Sequence, residues 1–370
     1  MPATVHEFPA IFSVSVNGID VTQAFNPYLI SLIITDAAGE LADRCDIVLD
    51  DSYGQLTLPP PDAQITAGIG WQDTGPIQMF NGVVDAPTSI GSREGGRLLT
   101  LTCTSCDPYK QSKSTQNQHL DQMNFAQAAQ QFGQLSKVNV IVTSNVPAYP
   151  RPYWDMGMES FLQWGQRTAN ELGLSMKMRT ETGGTQTAIF TPRAQPMSAG
   201  GDPLATVFAE VGVNVISWNL TPKYGRPLFN SFRVDWYDDK AATWNYSEAA
   251  ALQYGIGEFI GASPSDAILY NRFKSQTKEM AQARADSNAT AAYIGMGGGN
   301  IVMIGEPSAV SFATINITGA RPEIDGPWLI DTATHILKRG DHEGYITELS
   351  VNAPGAGGAA VGPTDVPFVP

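Results

Sequence analysis

The residues of this 370-residue chain with the most obvious chemical potential are three cysteines, four histidines and two adjacent pairs of carboxylates. Cys103-Thr104-Ser105-Cys106 has the spacing of a redox pair, but such a site needs its first cysteine at a helix N-terminus. Here Leu99, Leu101 and Cys103 alternate with Thr100, Thr102 and Thr104, the period of a strand, so both thiols and Cys45 read as reduced, packed side chains. No second cysteine pair completes a zinc site, and His6, His119, His335 and His342 each stand apart from the others. His342-Glu343 is followed by Gly344-Tyr345-Ile346 and so makes no H-E-x-x-H, and no G-x-S-x-G occurs. His335 lies mid-strand and reads as a packed or edge histidine, whereas His342 falls in a charged turn and reads as solvated.

Asp50-Asp51 and Asp238-Asp239 flank strand ends, where solvated turn residues are the default, and nothing supports them as a glycosidase pair. Gly255 to Gly261 misses the dinucleotide-binding pattern by one position, and Gly295 to Asn300 follows a helix where a phosphate cradle would open one. The sequons at Asn219, Asn245, Asn288 and Asn316 mean nothing without a secretory route. The predicted site inventory is therefore empty: no catalytic residue, no cofactor-binding residue and no metal ligand.

Composition narrows the rest. Charged residues are 16% of the chain and hydrophobic ones 42%, and 36 acidic against 22 basic residues leave a net charge of −14. A chain this acidic lacks the basic footprint of a nucleic-acid or anionic-membrane binder. No apolar run is long enough to span a bilayer, and Met1 to Val16 lacks the plan of a signal peptide, so a soluble, unexported product is expected.

The elements that must position these residues are mostly strands. Phe12 to Val16 alternates and is followed by the turn Asn17-Gly18, with Ile19 to Thr22 as the returning strand. Further strands are predicted at Leu29–Asp36, Arg44–Asp50, Ala63–Trp71, Ile77–Pro87 and Arg97–Ser105, with a corner at Pro59-Pro60-Pro61. After Asp107 the period changes: Phe125, Ala128, Ala129, Phe132 and Leu135 mark an amphipathic helix capped by Asn124, and Val138–Val142 is a short strand. A second helix from about Glu159 to Leu172 ends at Gly173, and Leu174–Thr180 and Thr185–Thr191 form a hairpin. Tyr149 to Trp154 reads as an exposed aromatic and proline loop of interface character.

Strands return at Val213–Thr221 and Asn230–Tyr237. A long, mostly polar helical stretch is then expected from Glu248 to Ala292, with Pro264 in its first turn and a narrow stripe of Leu269, Phe273, Met280 and Ala283. It should lie across a surface and end at the glycines of Gly295 to Gly299. Closing strands are expected at Ala309–Thr318, Trp328–Leu337 and Tyr345–Val351.

Met79 to Ser105 and Trp328 to Asn352 share one order, strand, charged glycine turn, strand, which predicts two barrels of one plan. The expected fold is β-rich α+β, two tube-like antiparallel β-barrels with α/β insertions. Residues 1–110 form the first barrel, 111–206 an α+β insertion, 207–247 with 300–354 the second barrel, 248–299 a helical insertion and 355–370 a flexible Pro/Gly-rich tail.

Four stretches in this order resemble the phage late control gene D family, the baseplate hub of contractile tails, itself related to the hub-like N-terminal part of type VI secretion spike proteins. VNGIDVT with LISLIITDAAGELADRCDIVLDD resembles the family's first strands and acidic turn, and MFNGVVDAPTSIGSREGGRLLTLTCTSCD its barrel closure. ESFLQWGQRTANELGLSMKMRTETGGTQTAIFTPR resembles its helix and hairpin, and GPWLIDTATHILKRGDHEGYITELSVNAP its last hairpin, His335 and Gly344-Tyr345 included. The resemblance runs from about Phe12 to Pro354. It implies a structural, non-enzymatic homotrimer whose two barrels per chain adapt a six-fold tail tube to a three-fold central spike. A symmetric ring of three can match six-fold packing only if each protomer holds two similar units.

The implied partners are the tail tube or tube-initiator protein, the spike and other baseplate proteins, with DNA only in transit and no stable membrane insertion. The implied location is the virion baseplate, after assembly in the host cytoplasm. Nothing after Pro354 resembles a fused spike or lytic domain, so those functions are expected on separate chains. Two alternatives remain from the sequence: a hub-associated cell-wall hydrolase, resting on the carboxylates alone, and the hub of a non-contractile tail or phage-like injection device.

Overall fold

The computed structural model describes residues 8–38, 41–60, 62–93, 96–107, 109–181, 183–193, 202–221, 229–251, 266–295, 297–339 and 344–353. The expectations placed on His6, His342, Gly255 to Gly261, Pro264 and the tail lie outside these residues. Among those described, no helix is long and apolar enough to cross a membrane.

The first β module contains β1 (Ala10–Val16), β2 (Ile19–Asp20), α1 (Thr22–Phe25), β3 (Leu29–Ala37), β4 (Arg44–Asp50), β5 (Gln64–Trp71), β6 (Gly75–Ser92) and β7 (Gly96–Thr104). The predicted alternation holds: Phe12, Val14, Leu32, Ile34, Ile47, Leu49, Ile65, Ile69, Leu99 and Leu101 form one core. The returning strand is shorter than expected, because Asp20 accepts from the Thr22 amide at 2.8 Å and turns the chain into a helical turn.

The α+β module follows with β8 (Thr115–Met123), α2 (Phe125–Leu135), β9 (Val138–Val142), β10 (Arg151–Ser160), α3 (Phe161–Leu172), β11 (Leu174–Thr180) and β12 (Gln186–Pro192). Both α2 and α3 begin in capping boxes, Asn124 with Gln127 and Ser160 with Gln163. Gly173 closes α3 at φ +72°, in the left-handed region where a side chain is strained. Because Ser160 is the cap, Glu159 belongs to β10 and not to the helix. The expected loop from Tyr149 to Trp154 is mostly strand as well. Trp154 is fully buried against Phe125 and Trp164, and its Nε1 donates to the Met123 carbonyl at 2.9 Å.

The remaining chain forms β13 (Val207–Glu210), β14 (Val215–Thr221), β15 (Ser231–Asp238), β16 (Thr243–Ala250), β17 (Ile268–Tyr270), α4 (Lys278–Ile294), β18 (Gly298–Ile304), β19 (Thr314–Thr318), β20 (Gly326–Lys338) and β21 (Gly344–Asn352). Of the long helix expected from Glu248 to Ala292, residues 252–265 lie outside those described; among the rest, Glu248 to Ala250 end β16, Ile268–Tyr270 is β17 and the helix α4 begins only at Lys278. Trp244 and Tyr246 favour the pleated surface, and Thr277 caps the helix late by accepting from the Met280 amide. Leu269 and Phe273 precede α4, whose buried face is instead built of small residues, Ala281, Ala285 and Ala289, beside Met280 and Tyr293. These alanines pack on Phe232 and Val234, while Met280 joins the core of the α+β module, so α4 is wedged between two units. β15, β16 and β17 form their own sheet and do not join the long one.

A strand also runs through the glycines expected only to end the helix. A Cβ at Gly299 would stand 1.9 Å from the Asn219 carbonyl oxygen, and φ is +150°, so glycine is required where β18 meets β14. The strand expected from Ala309 starts only at Thr314, after a turn through Phe312 at φ +66°.

β14, β18, β21, β20, β3, β4, β7, β6, β5, β1 and β2 succeed one another in one mostly antiparallel sheet, with β19 beside β20 and β13 beside β19. Its two halves hold separate cores, and β20 pairing with β3 from Thr332–Ala37 to Lys338–Ser31 joins them. The fold is β-rich α+β.

Candidate functional surface and the junctions behind it

Across the β20–β3 seam the register aligns one row of side chains through six strands. Val302, Glu348, Thr334, Thr35, Arg44 and Thr104 stand opposite one another in turn, and none is buried. The neighbouring row, Ile346, Ile336, Ile33, Asp46, Thr102 and Ala86, is apolar at the seam, polar at Asp46 and Thr102, and ends at the small Ala86. Since side chains alternate between faces, the positions between these rows point inward: Met303, Thr347, His335, Ile34, Cys45, Cys103 and Val84 are all buried. One continuous surface, with four threonines and the charged Glu348, Arg44 and Asp46 among its twelve positions, thus spans both β modules.

Behind the seam, His335 is packed, as its mid-strand position suggests. Its Nε2 is 2.9 Å from the Ala309 carbonyl and must donate, so Nδ1 accepts from the Tyr345 hydroxyl at 2.7 Å. Burial lowers its pKa and raises that of Tyr345, so both are neutral tethers. Trp71 Nε1 donates to the Gly305 carbonyl at 2.9 Å beside the same tyrosine.

A second junction joins the β modules to the α+β module. Lys177 on β11 pairs with Asp36 at the end of β3, and lies 2.9 Å from Asp43 Oδ1 and 3.0 Å from Ser311 Oγ. Asp36 also accepts from the Ser311 amide and hydroxyl at 2.8 and 2.6 Å. Burial disfavours all three charges. Lys177 overcomes this for Asp36, whose pKa is lowered, whereas Asp43 is pushed up to about 6 by its burial, with the second carboxylate adding to the effect. The two aspartates hold the Lys177 pKa above normal despite its burial. Ser105, from the Cys-x-x-Cys stretch, ties the same joint: its Oγ accepts from the Asp43 amide and donates to the Met178 carbonyl.

This junction escaped the sequence reading. In the sequence Lys177 reads only as one of the polar residues that alternate with Met176 and Met178 along the strand.

The other candidates do not converge. Cys45 and Cys103 are cross-strand partners in the core, and Cys106 is buried nearby. Burial pushes the Cys103 and Cys106 thiols up to about 12 and 11. Asp50 accepts from the Ser52 amide and hydroxyl, Asp51 from the Leu56 amide and Asp238 from the Lys240 and Ala241 amides, so these aspartates build turns. His119 stacks on Tyr153. Asn219, Asn245, Asn288 and Asn316 lie on β14, β16, α4 and β19. A cavity of about 350 Å³ where α3, β11, α4 and β20 meet is lined by Asn170, Met176, Arg193, Ala291 and Asp331. Among the described residues no group of His, Cys, Asp and Glu could hold a metal.

No family model matches the chain. In sequence it is 26% identical over 193 residues to the probable baseplate hub protein of Escherichia phage 186, covering 52% of this chain and 48% of that protein. It is 24% identical over 190 residues to the protein of the same description from Escherichia phage P2, covering 51% and 46%. The chain therefore spans about half the length of the curated relatives it matches.

Among solved structures, the 43 kDa tail protein of prophage MuSo2 from Shewanella oneidensis superposes with a TM-score of 0.66 at 15% identity, covering 93% of this chain and 98% of that one. An Escherichia coli component of the type VI secretion system, described as structurally similar to phage T4 tail proteins, gives 0.56 at 10% identity, covering 92% and 76%. The resemblance read from the sequence stands: the chain is a relative of phage baseplate hub proteins and carries a phage tail-protein fold.

Proposed function

We propose that the chain is the hub subunit of a phage tail baseplate, a homotrimer joining a six-fold tail tube to a three-fold central spike. The observation that carries this reading is the pair of β modules, each with its own core, fused through β20 and β3 into one sheet. We take the first module as one tube-like unit and β13, β14 and β18 to β21 as the other. Three chains then offer six units to the tube while retaining three-fold symmetry for the spike. The face spanning both units lines the channel through which DNA passes unbound.

The work of such a subunit is positional, and its residues make no chemical step. The names of the phage 186 and P2 relatives describe no enzyme, and of the carboxylates on which a hydrolase reading would rest, Asp50, Asp51 and Asp238 are turn caps. The protein belongs in the virion baseplate, assembled in the host cytoplasm beside tube, spike and other baseplate chains. Electron microscopy of the purified assembly tests this: class averages should show six lobes with three-fold symmetry. A ring of six whole chains would overturn the adaptor role.

A further inference from the structure

The α+β module has a core separate from those of both β modules, and along β11 its attachment to them is uneven. At the C-terminal end of that strand it is tied down. The Met178 amide donates to the Leu41 carbonyl at 2.8 Å, Ser105 Oγ donates to the Met178 carbonyl at 2.9 Å, and Thr180 Oγ1 donates to the Ser105 carbonyl at 2.7 Å. At the N-terminal end Leu174, Ser175 and Met176 line the cavity of about 350 Å³, together with Leu329 and Asp331 of β20. Asn170, Arg193 and Asn352 also line it, so it is polar and roomy enough to hold water.

Lys177 stands between the tied and the hollow ends, and its two carboxylates are unequally satisfied. Asp36 accepts from the Ser311 amide and hydroxyl besides pairing with Lys177. Asp43 Oδ1 is buried and, although 2.9 Å from Lys177 Nζ, is out of line for a hydrogen bond. A buried carboxylate oxygen without a hydrogen bond is costly, and either a proton or water relieves it.

Among the described residues the charged groups acting on Asp43 are Lys177 and Asp36. Arg179, further along β11, pairs with Glu181 at 3.5 Å. His335, which senses Asp36 from β20, is kept neutral by burial. In the cavity Arg193 bonds Asn170 at 2.7 Å, and burial raises the pKa of Asp331 as it does that of Asp43. Both of these aspartates therefore hold a proton more tightly while the module is seated and less tightly once hydrated.

We propose that this joint is a proton-controlled hinge. With Asp43 protonated the α+β module is seated on the sheet; with Asp43 ionised it swings about the Met178–Thr180 tether, widening the cavity until water reaches the carboxylate. Because the proton binds the seated state more tightly, its release shifts the balance towards the swung one. Asp43 titrates at about 6 when seated, against an ordinary 3.8 when hydrated. The ratio of swung to seated chains should therefore rise about tenfold between pH 5.0 and pH 7.5 and level off above that.

Spin labels at Gln131→Cys on α2 and Thr318→Cys on β19, both exposed positions, convert the swing into a distance, while the native cysteines are buried and stay unlabelled. Pulsed electron resonance is recorded on the labelled full chain, diluted in unlabelled chain so that an assembly carries one labelled pair. A second distance should appear whose population grows about tenfold from pH 5.0 to pH 7.5. Asp43→Asn keeps the shape of the side chain and cannot ionise, so it should remove most of that growth and leave only the small part owed to Asp331. A distance distribution identical at both pH values would refute the hinge. Growth undiminished in Asp43→Asn would place the titrating group elsewhere and overturn the proposal as well.

Discussion

Two carboxylates share one ammonium at the Lys177 junction, and that stoichiometry sets its response to pH. Asp43 binds its proton more tightly in the folded chain, with a pKa near 6 against an ordinary 3.8. The folded state therefore holds more protons than the unfolded one between these values, and this group's contribution to stability falls as pH rises from about 4 through about 6. The full effect is on the order of 2–3 kcal/mol. Asp36 has a lowered pKa, and its contribution is lost only as pH falls below the usual carboxylate range. Urea unfolding from pH 4.5 to 7.5 should show the Asp43 decline in the wild type and a flatter profile in Asp43→Asn. Lys177→Met leaves two buried carboxylates without a cation and should cost about 3–5 kcal/mol at neutral pH. The cysteines belong to the same scale: with buried, un-ionised thiols, the native chain should react with Ellman's reagent only at its unfolding rate. Their packing role was readable from the alternation of Leu99, Leu101 and Cys103. The ion cluster was not, because Asp36, Asp43, Lys177 and Ser311 meet only through tertiary contacts.

At the scale of elements, local signals that complete themselves within a few residues were legible. Asn124, Ser160 and Gly173 cap where their residue types require, although the cap at Ser160 moved the start of α3. The ribbon of β8 and β10 was not legible. Thr115 to Met123 is mostly polar on both faces and carries no clear period of two, and β10 supplies the pairing that makes it a strand. The long helix expected from Glu248 failed for the converse reason: helix propensity in the alanine-rich part was extended over residues whose strand is fixed by partners on β15. The β14–β18 ladder depends on one residue without a side chain. Gly299→Val should expose β14 to rapid amide hydrogen exchange while leaving the β4–β7 ladder protected, as the clash is with the Asn219 backbone. The face spanning both modules gives another expectation. Wild-type protein should show no duplex DNA retention at physiological salt in filter binding, whereas D46K/E348K, which places two cations on that face, should bind DNA with a steep salt dependence.

For the whole molecule, the repeated order of strand, glycine turn and strand was the legible sign that two β modules exist. Their manner of joining was not, since the β20–β3 pairing brings together residues about 300 positions apart. That seam makes one face out of two modules, and it is the feature a symmetry adaptor needs. The measurement that tests this most directly is native mass spectrometry of the purified chain over a concentration series. The adaptor account predicts a species at three times the chain mass of 39.7 kDa, dissociating without stable dimers. A closed species of six chains, or a monomer persisting at the highest concentrations, would contradict it.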